Sequence, residues 1–279
     1  LSMLNYTMFV SDIDGTLVTQ TKNIPVANQQ SISAFREQGG YFTLATGRSY
    51  LEAKRFIQEL KVDLPVILCN GAVLFDPATK ELKAVSSVER GLLFRLLTQL
   101  ETWGQEVEIF IYSLDRIYAT RISPPLQEAL KEHDDQFPLE LIPTYDDLPD
   151  VPVIKVVAVA APHTMPKLHR WSDSLNYPLE TVQSSENFFE ILPGGTSKGN
   201  AMEQIAKRYR LTIDQCAAIG DHLNDLSMVR KAGLSAAVAN AHPELIQAAH
   251  HVVPSNEEAG VSHFLNQYVI HPRTAVQGG

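Results

Sequence analysis

No stretch of the 279-residue chain is apolar for long enough to cross a bilayer, and its first residues lack the basic region and cleavage pattern of a secretory leader. A cytoplasmic protein is therefore expected. Cysteine is nearly absent. Cys69 and Cys216 both fall in short apolar runs, where the residue usually acts as a small hydrophobe, so neither a disulfide nor a catalytic thiol is expected. Positive charge is also short: 23 Lys and Arg against 32 Asp and Glu give a formal net charge of −9. That balance opposes non-specific attraction to nucleic acid or an anionic membrane, so neither partner is expected and an anionic ligand needs a local positive site. Internal repeats and low-complexity segments are missing too, which removes solenoids and disordered linkers. What remains is 44% hydrophobic and 20% charged, the make-up of an ordinary globular protein with length for one large domain or two smaller ones. Oligomeric state leaves no mark.

The most informative stretch runs from Tyr6 to Thr16. A short apolar run with β-branched and aromatic members reads as a buried strand, and it stops in Asp12 and Asp14. In extended backbone, alternate residues share a face, so the two carboxylates are expected to repel each other until a divalent cation relieves them. Gly15 permits a turn, and Thr16 satisfies amides beyond it. The bland alternative is a strand ending in a solvated acidic turn.

Three more apolar runs end in polar residues: Tyr41–Ala45 before Thr46, Gly47 and Arg48; Pro65–Cys69 before Asn70 and Gly71; and Cys216–Gly220 before Asp221, His222, Asn224 and Asp225. In an open parallel sheet, ligands bind outside the carboxyl ends of the strands, so these ends are expected to converge on one crevice. Between the runs, apolar residues near helical spacing, with Pro25 before and Gly39 after the first set, predict strand-helix alternation and right-handed crossovers.

From Asp76 the pattern changes. The interval from Thr46 to Lys198 holds roughly a hundred residues more than one further strand and its connections need, enough for a small domain. Within it we expect a helix near Glu89–Trp103, a hairpin over 107–120, helices near 125–135 and 165–175, and strands at 153–160, around Val182 and around Phe189.

The segments Asp12-Ile13-Asp14-Gly15-Thr16, Thr46-Gly47-Arg48, Ser197-Lys198-Gly199 and Gly220-Asp221 with Asn224-Asp225 stand in the order and spacing of four known motifs. With them, the chain resembles the haloacid dehalogenase-like superfamily of phosphotransferases, within it the Cof-type sugar-phosphatase group. The resemblance spans nearly the whole chain and implies an α/β fold: a Rossmann-like parallel-sheet core, residues 1–82 and 188–279, with a second, smaller α+β cap domain at 83–187.

The implied activity is Mg2+-dependent hydrolysis of a small phosphorylated metabolite, a sugar phosphate by class. Asp12 is the implied nucleophile that forms an aspartyl-phosphate, and Asp14 protonates the leaving oxygen and later deprotonates water. Mg2+ binds hard oxygens, and Asp12, Asp221 and the main-chain carbonyl of Asp14 suit it, with Asp225 either a ligand or the partner that orients one. Lys198, at a helix start, neutralises phosphate; by residue type alone it reads as a surface charge. Thr46 donates to phosphate or caps the helix that follows, Gly47 lies in the same turn, Asn224 donates to phosphate, and Asn70 positions phosphate or stabilises its own turn. Arg48 and His222 receive no role. A phosphomutase with the same nucleophile and a non-catalytic metabolite-binding protein are the rival readings.

Overall fold

The computed structural model describes residues 4–124 and 139–270, so the helix expected near 125–135 lies outside the described residues. Strand and helix alternate first as β1 (Met8–Ser11), α1 (Val26–Glu37), β2 (Tyr41–Leu44), α2 (Tyr50–Glu59) and β3 (Val66–Leu68). A hairpin follows, β4 (Val73–Asp76) and β5 (Glu81–Ala84). Next come α3 (Arg90–Glu101), β6 (Val107–Tyr112), β7 (Ile117–Ala119), β8 (Leu139–Leu141), β9 (Lys155–Ala160), α4 (Met165–Asp173), β10 (Leu179–Gln183) and β11 (Phe188–Pro193). The chain then returns through α5 (Lys198–Arg208), β12 (Cys216–Gly220), α6 (Leu226–Lys231), β13 (Leu234–Val238), α7 (Pro243–Ala248), β14 (His251–Val253) and α8 (Gly260–Phe264).

Five strands form one wholly parallel sheet in the order β14-β13-β12-β1-β2. Its interior strand β1 shows why the sequence there reads as an unbroken apolar run: helices cover both faces, so residues pointing either way are buried. Phe9 packs with Phe35, Phe42 and Phe264 on one side, and Met8 and Val10 meet Met202 and Ile205 on the other. Burying Phe9 completely contributes about 2–3 kcal/mol relative to leaving it in water. The third strand departs from expectation. β3 pairs with the parallel sheet through a single bridge, Ala45 to Ile67, and otherwise pairs antiparallel with β4. After Ala45 the chain turns away through Gly47 and Arg48, which leaves β3 no longer partner.

The insert builds a six-stranded sheet, β10-β11-β9-β6-β7-β8, antiparallel except between β7 and β8. One face carries Ile109, Ile111, Val156 and Phe189 against Leu92, Leu96 and Leu168 of α3 and α4. Register puts Tyr112 beside Lys155, and Phe110, Val157 and Glu190 in one row, so these share the opposite face. β11 belongs to this sheet, although the reading of the sequence assigned residues from 188 onward to the core. The two chain crossings lie side by side, where the hydroxyls of Ser86 and Thr196 bond at 2.8 Å.

Candidate active site

The four polar strand ends do converge. Three of them, after β1, β2 and β12, floor a cavity of about 920 Å³ roofed by the open face of the insert sheet, with Asp12, Asp14, Thr46, Gly47, Arg48, Asp221 and Asn224 in its lining. Asn70 sits just behind Gly47, buried, in a left-handed backbone conformation at φ 55°.

At the floor, Lys198 opens α5 behind the Ser197 N-cap, whose hydroxyl accepts the Asn200 N–H at 3.1 Å. This lysine is fully buried, contrary to what its residue type suggests, and its ammonium donates to Asp12 Oδ1 and Asp225 Oδ1, both at 2.6 Å. The second oxygen of Asp225 accepts the amides of Asp221 at 2.9 Å and His222 at 3.1 Å. Both oxygens of Asp225 are thus spent on holding Lys198 and the Asp221 loop. Asp221 stands beside Gly15, whose φ of 73° and lack of a side chain let the two turns approach, and Thr16 donates to its Oδ1 at 3.3 Å.

Asp12, Asp221 and Asp225 can each offer an oxygen within 4.8 Å of the others. Three carboxylates therefore face one ammonium. Burial pushes the Asp12 carboxyl up to about 7 against the pull of Lys198, and burial with the charges of Asp12 and Asp225 raises Asp221 as well. Asp12 Oδ2 is buried with no hydrogen-bond partner among the described residues, a costly state for a carboxylate oxygen. A hard divalent cation fits this donor set: it supplies the missing partner and neutralises the surplus negative charge.

Asp14 differs from expectation. The strand ends at Ser11, so Asp14 lies in the following turn rather than in extended register with Asp12. Arg48 grips its carboxylate through Nε at 2.7 Å and Nη2 at 2.8 Å, and Lys22 adds a bond at 2.8 Å. Burial alone would raise this carboxyl, but the two cations prevail and hold it well below the usual carboxylate range. Arg48, which the sequence left without a role, is fixed by this contact and by the Glu52 carbonyl at 3.0 Å.

Thr46 accepts the Arg48 N–H at 3.1 Å, and the cap of α2 is instead Ser49, in a capping box with Glu52. Neither the Thr46 hydroxyl hydrogen nor the Gly47 N–H has an acceptor among the described residues, so both remain available at the floor. Asn224 donates one amide hydrogen to Asn70 Oδ1 at 3.0 Å, and Asn70 donates to Glu190 Oε2 at 2.8 Å. The Nδ1 of His222 lies 2.9 Å from the Gln183 carbonyl of the insert. Both thiols are buried, and burial pushes Cys69 and Cys216 up to about 12, which suits the inert reading.

Sequence reasoning missed Lys22, Lys155 and Glu190. Lys155 and Glu190 had a readable signal: one charged residue inside an otherwise apolar strand, Ile154-Lys155-Val156 and Phe189-Glu190-Ile191. Lys22 had none, since it follows a polar loop.

A family model described as haloacid dehalogenase-like hydrolase matches residues 9–265. Among curated proteins the chain is similar to the phosphatase YwpJ of Bacillus subtilis, 26% identical over 91% of this chain and 96% of that one. It is likewise similar to the HMP-PP phosphatase of Yersinia enterocolitica, 27% identical over 96% and 97%. Among solved structures, the subclass IIB sugar phosphatase BT4131 superposes with a TM-score of 0.80 at 20% identity, over 95% of this chain and all of that one, a likeness of fold.

Proposed function

The chain belongs to the haloacid dehalogenase-like hydrolase family, and from that premise we propose that it hydrolyses the phosphomonoester of a small metabolite, a sugar phosphate by class, through an aspartyl-phosphate on Asp12. The observation that carries this reading is the Asp12 carboxylate at the cavity floor, one oxygen anchored by Lys198 and the other buried without a partner among the described residues. The names of the relatives, one a phosphatase and the other an HMP-PP phosphatase, support it.

Asp12, Asp221 and the Asp14 carbonyl would hold Mg2+, which when bound polarises the phosphoryl oxygens and neutralises charge. Asp225 keeps Lys198 and Asp221 in place rather than ligating. An oxygen of Asp12 attacks phosphorus while the ester oxygen departs, and the ammonium of Lys198 balances the charge. Thr46 and Gly47 donate their unspent hydrogens to the non-bridging oxygens. Asp14 gives the leaving alkoxide its proton and later takes one from the attacking water. Gripped by Arg48 and Lys22 it has the base form, so those cations must release it before the acid step. The insert, about residues 87–195, acts as a cap that excludes water and contacts the leaving group.

The test is phosphate release from a panel of phosphorylated metabolites with Mg2+ and with a chelator. Metal-dependent release from a small set of esters is expected. Equal release under chelation would remove the metal from the reading, and none from any ester would remove the activity.

A further inference from the structure

Lys155 and Glu190 form an ion pair at 3.0 Å in which both side chains are about 95% buried. Such a pair is a poor stabiliser, because desolvation consumes most of its attraction and an apolar pair of the same shape often does as well. What apolar side chains cannot do is reach across to the core as these do. The Lys155 ammonium donates to the Gly47 carbonyl at 2.8 Å, and Glu190 Oε2 accepts from Asn70 Nδ2 at 2.8 Å. Neither group is loose: Ser184 donates to Glu190 Oε1 at 2.7 Å, and the Tyr112 ring lies 4.7 Å from the ammonium. The chain of bonds continues from Asn70 to Asn224 in the loop that carries Asp221.

We propose that Lys155 and Glu190 are positioning residues, which fix the Thr46–Gly47 turn and Asn70 so that the unspent donors of that turn meet the transferred phosphoryl group. The insert thereby completes the phosphate cradle of the core without touching substrate through these two side chains. The inference rests on the phosphatase reading above. Anchoring the Gly47 carbonyl fixes the plane of the peptide that follows it and the course of the turn, and the donors on that turn inherit the placement.

The test compares wild type with the double variant Lys155→Met, Glu190→Gln, which removes both charges together and leaves no unpaired ion. Two quantities are read with Mg2+ present: kcat/KM for the preferred metabolite ester and for nitrophenyl phosphate, and the dissociation constant of orthovanadate by calorimetry. Both should weaken by roughly 10–100-fold, the usual scale for losing an outer partner of a site. The loss should be similar for the two esters. Unchanged vanadate binding would overturn the proposal, whether activity falls, as it would if the pair contacted the leaving group, or stays. If the double variant does not fold, Glu190→Asp, which keeps the charge and shortens the reach, is judged by the same measurements. A wild type that binds vanadate but hydrolyses no ester ends the phosphatase reading while the vanadate comparison still decides this one. A wild type that hydrolyses esters but binds no vanadate ends this inference alone, and one that does neither ends both.

Discussion

The two sheets bring charge to the cavity in opposite ways. In the parallel sheet, the strand interiors are largely apolar and the polar groups proposed to react follow the strands: Asp12 after β1, Thr46 after β2, Asp221 after β12. In the insert sheet, Lys155 and Glu190 sit within β9 and β11, on the face turned to the cavity. The difference follows from topology. Parallel strands buried on both faces have no surface left for function except their ends, whereas an antiparallel sheet packed on one face keeps a whole face for a ligand. In the proposed reading, chemistry accordingly gathers at strand ends in one region, while the other offers a whole face to the cavity.

The sharpest way to break this contrast is at a strand end. Asp12→Asn should lower kcat by about 10⁴-fold or more, the scale of losing a covalent nucleophile, while the melting temperature does not fall, because one of three crowded carboxylates loses its charge. Retained turnover in the folded variant would dissolve the distinction. Asp14→Asn should slow formation of the aspartyl-phosphate from a sugar phosphate by roughly 10²–10⁴-fold, and from nitrophenyl phosphate far less, since nitrophenolate leaves without a proton. Rapid-mixing absorbance should then show a burst of nitrophenol followed by slow turnover; equal slowing with both esters would assign Asp14 to structure alone.

A change on the plane should act more softly. Phe188, partly buried at the cavity wall, touches only the leaving-group side in this reading. Phe188→Ala should raise KM for the metabolite ester about 10-fold with kcat nearly intact, and alter inorganic phosphate inhibition little. A loss confined to kcat would put chemistry on the insert. The smallest effect concerns the two buried thiols, Cys69 just past the end of β3 and Cys216 at the start of β12. Cys69 and Cys216 rise in the fold from 9.0 to about 12, so the folded state holds protons that the unfolded chain releases in that interval. Stability should therefore be unaffected by the thiols below pH 9 and decline as pH rises from there toward 12. Chemical denaturation across that range, compared with a Cys69→Ala, Cys216→Ala variant, should show the shallower slope in the variant. At pH 8 the native thiols should resist alkylation.

How far the sequence reveals all this depends on whether a function leaves a local pattern. Strand ends do, because apolar runs that stop in Asp, Thr or Asn are visible one at a time, and the parallel pairing of β1 with β2 follows from the strand-helix alternation. Burial of Lys198 is not local: its two carboxylate partners lie 186 and 27 positions away. The grip of Arg48 on Asp14 joins loops 34 positions apart, and the bond from Lys155 to Gly47 spans 108. The hairpin β4–β5 escaped for another reason. Its strands have four residues each and β5 is nowhere buried, too short and too wet for a clear alternation.

The place of β1 between β2 and β12 sets a timetable for biosynthesis. Its first neighbour is made soon after it, but the second comes only after the insert and brings Asp221 to Thr16 from 205 positions downstream. At roughly 5–20 residues per second on a ribosome, that partner arrives at least about ten seconds later, after the whole insert has emerged. Until then one edge of β1 stands open, and the insert sheet, whose strands all lie between residues 107 and 193, has every partner it needs. Chains cut short before β12 would therefore lack both the closed sheet and the paired carboxylates, so a truncated product is an unfinished fold rather than a stray enzyme.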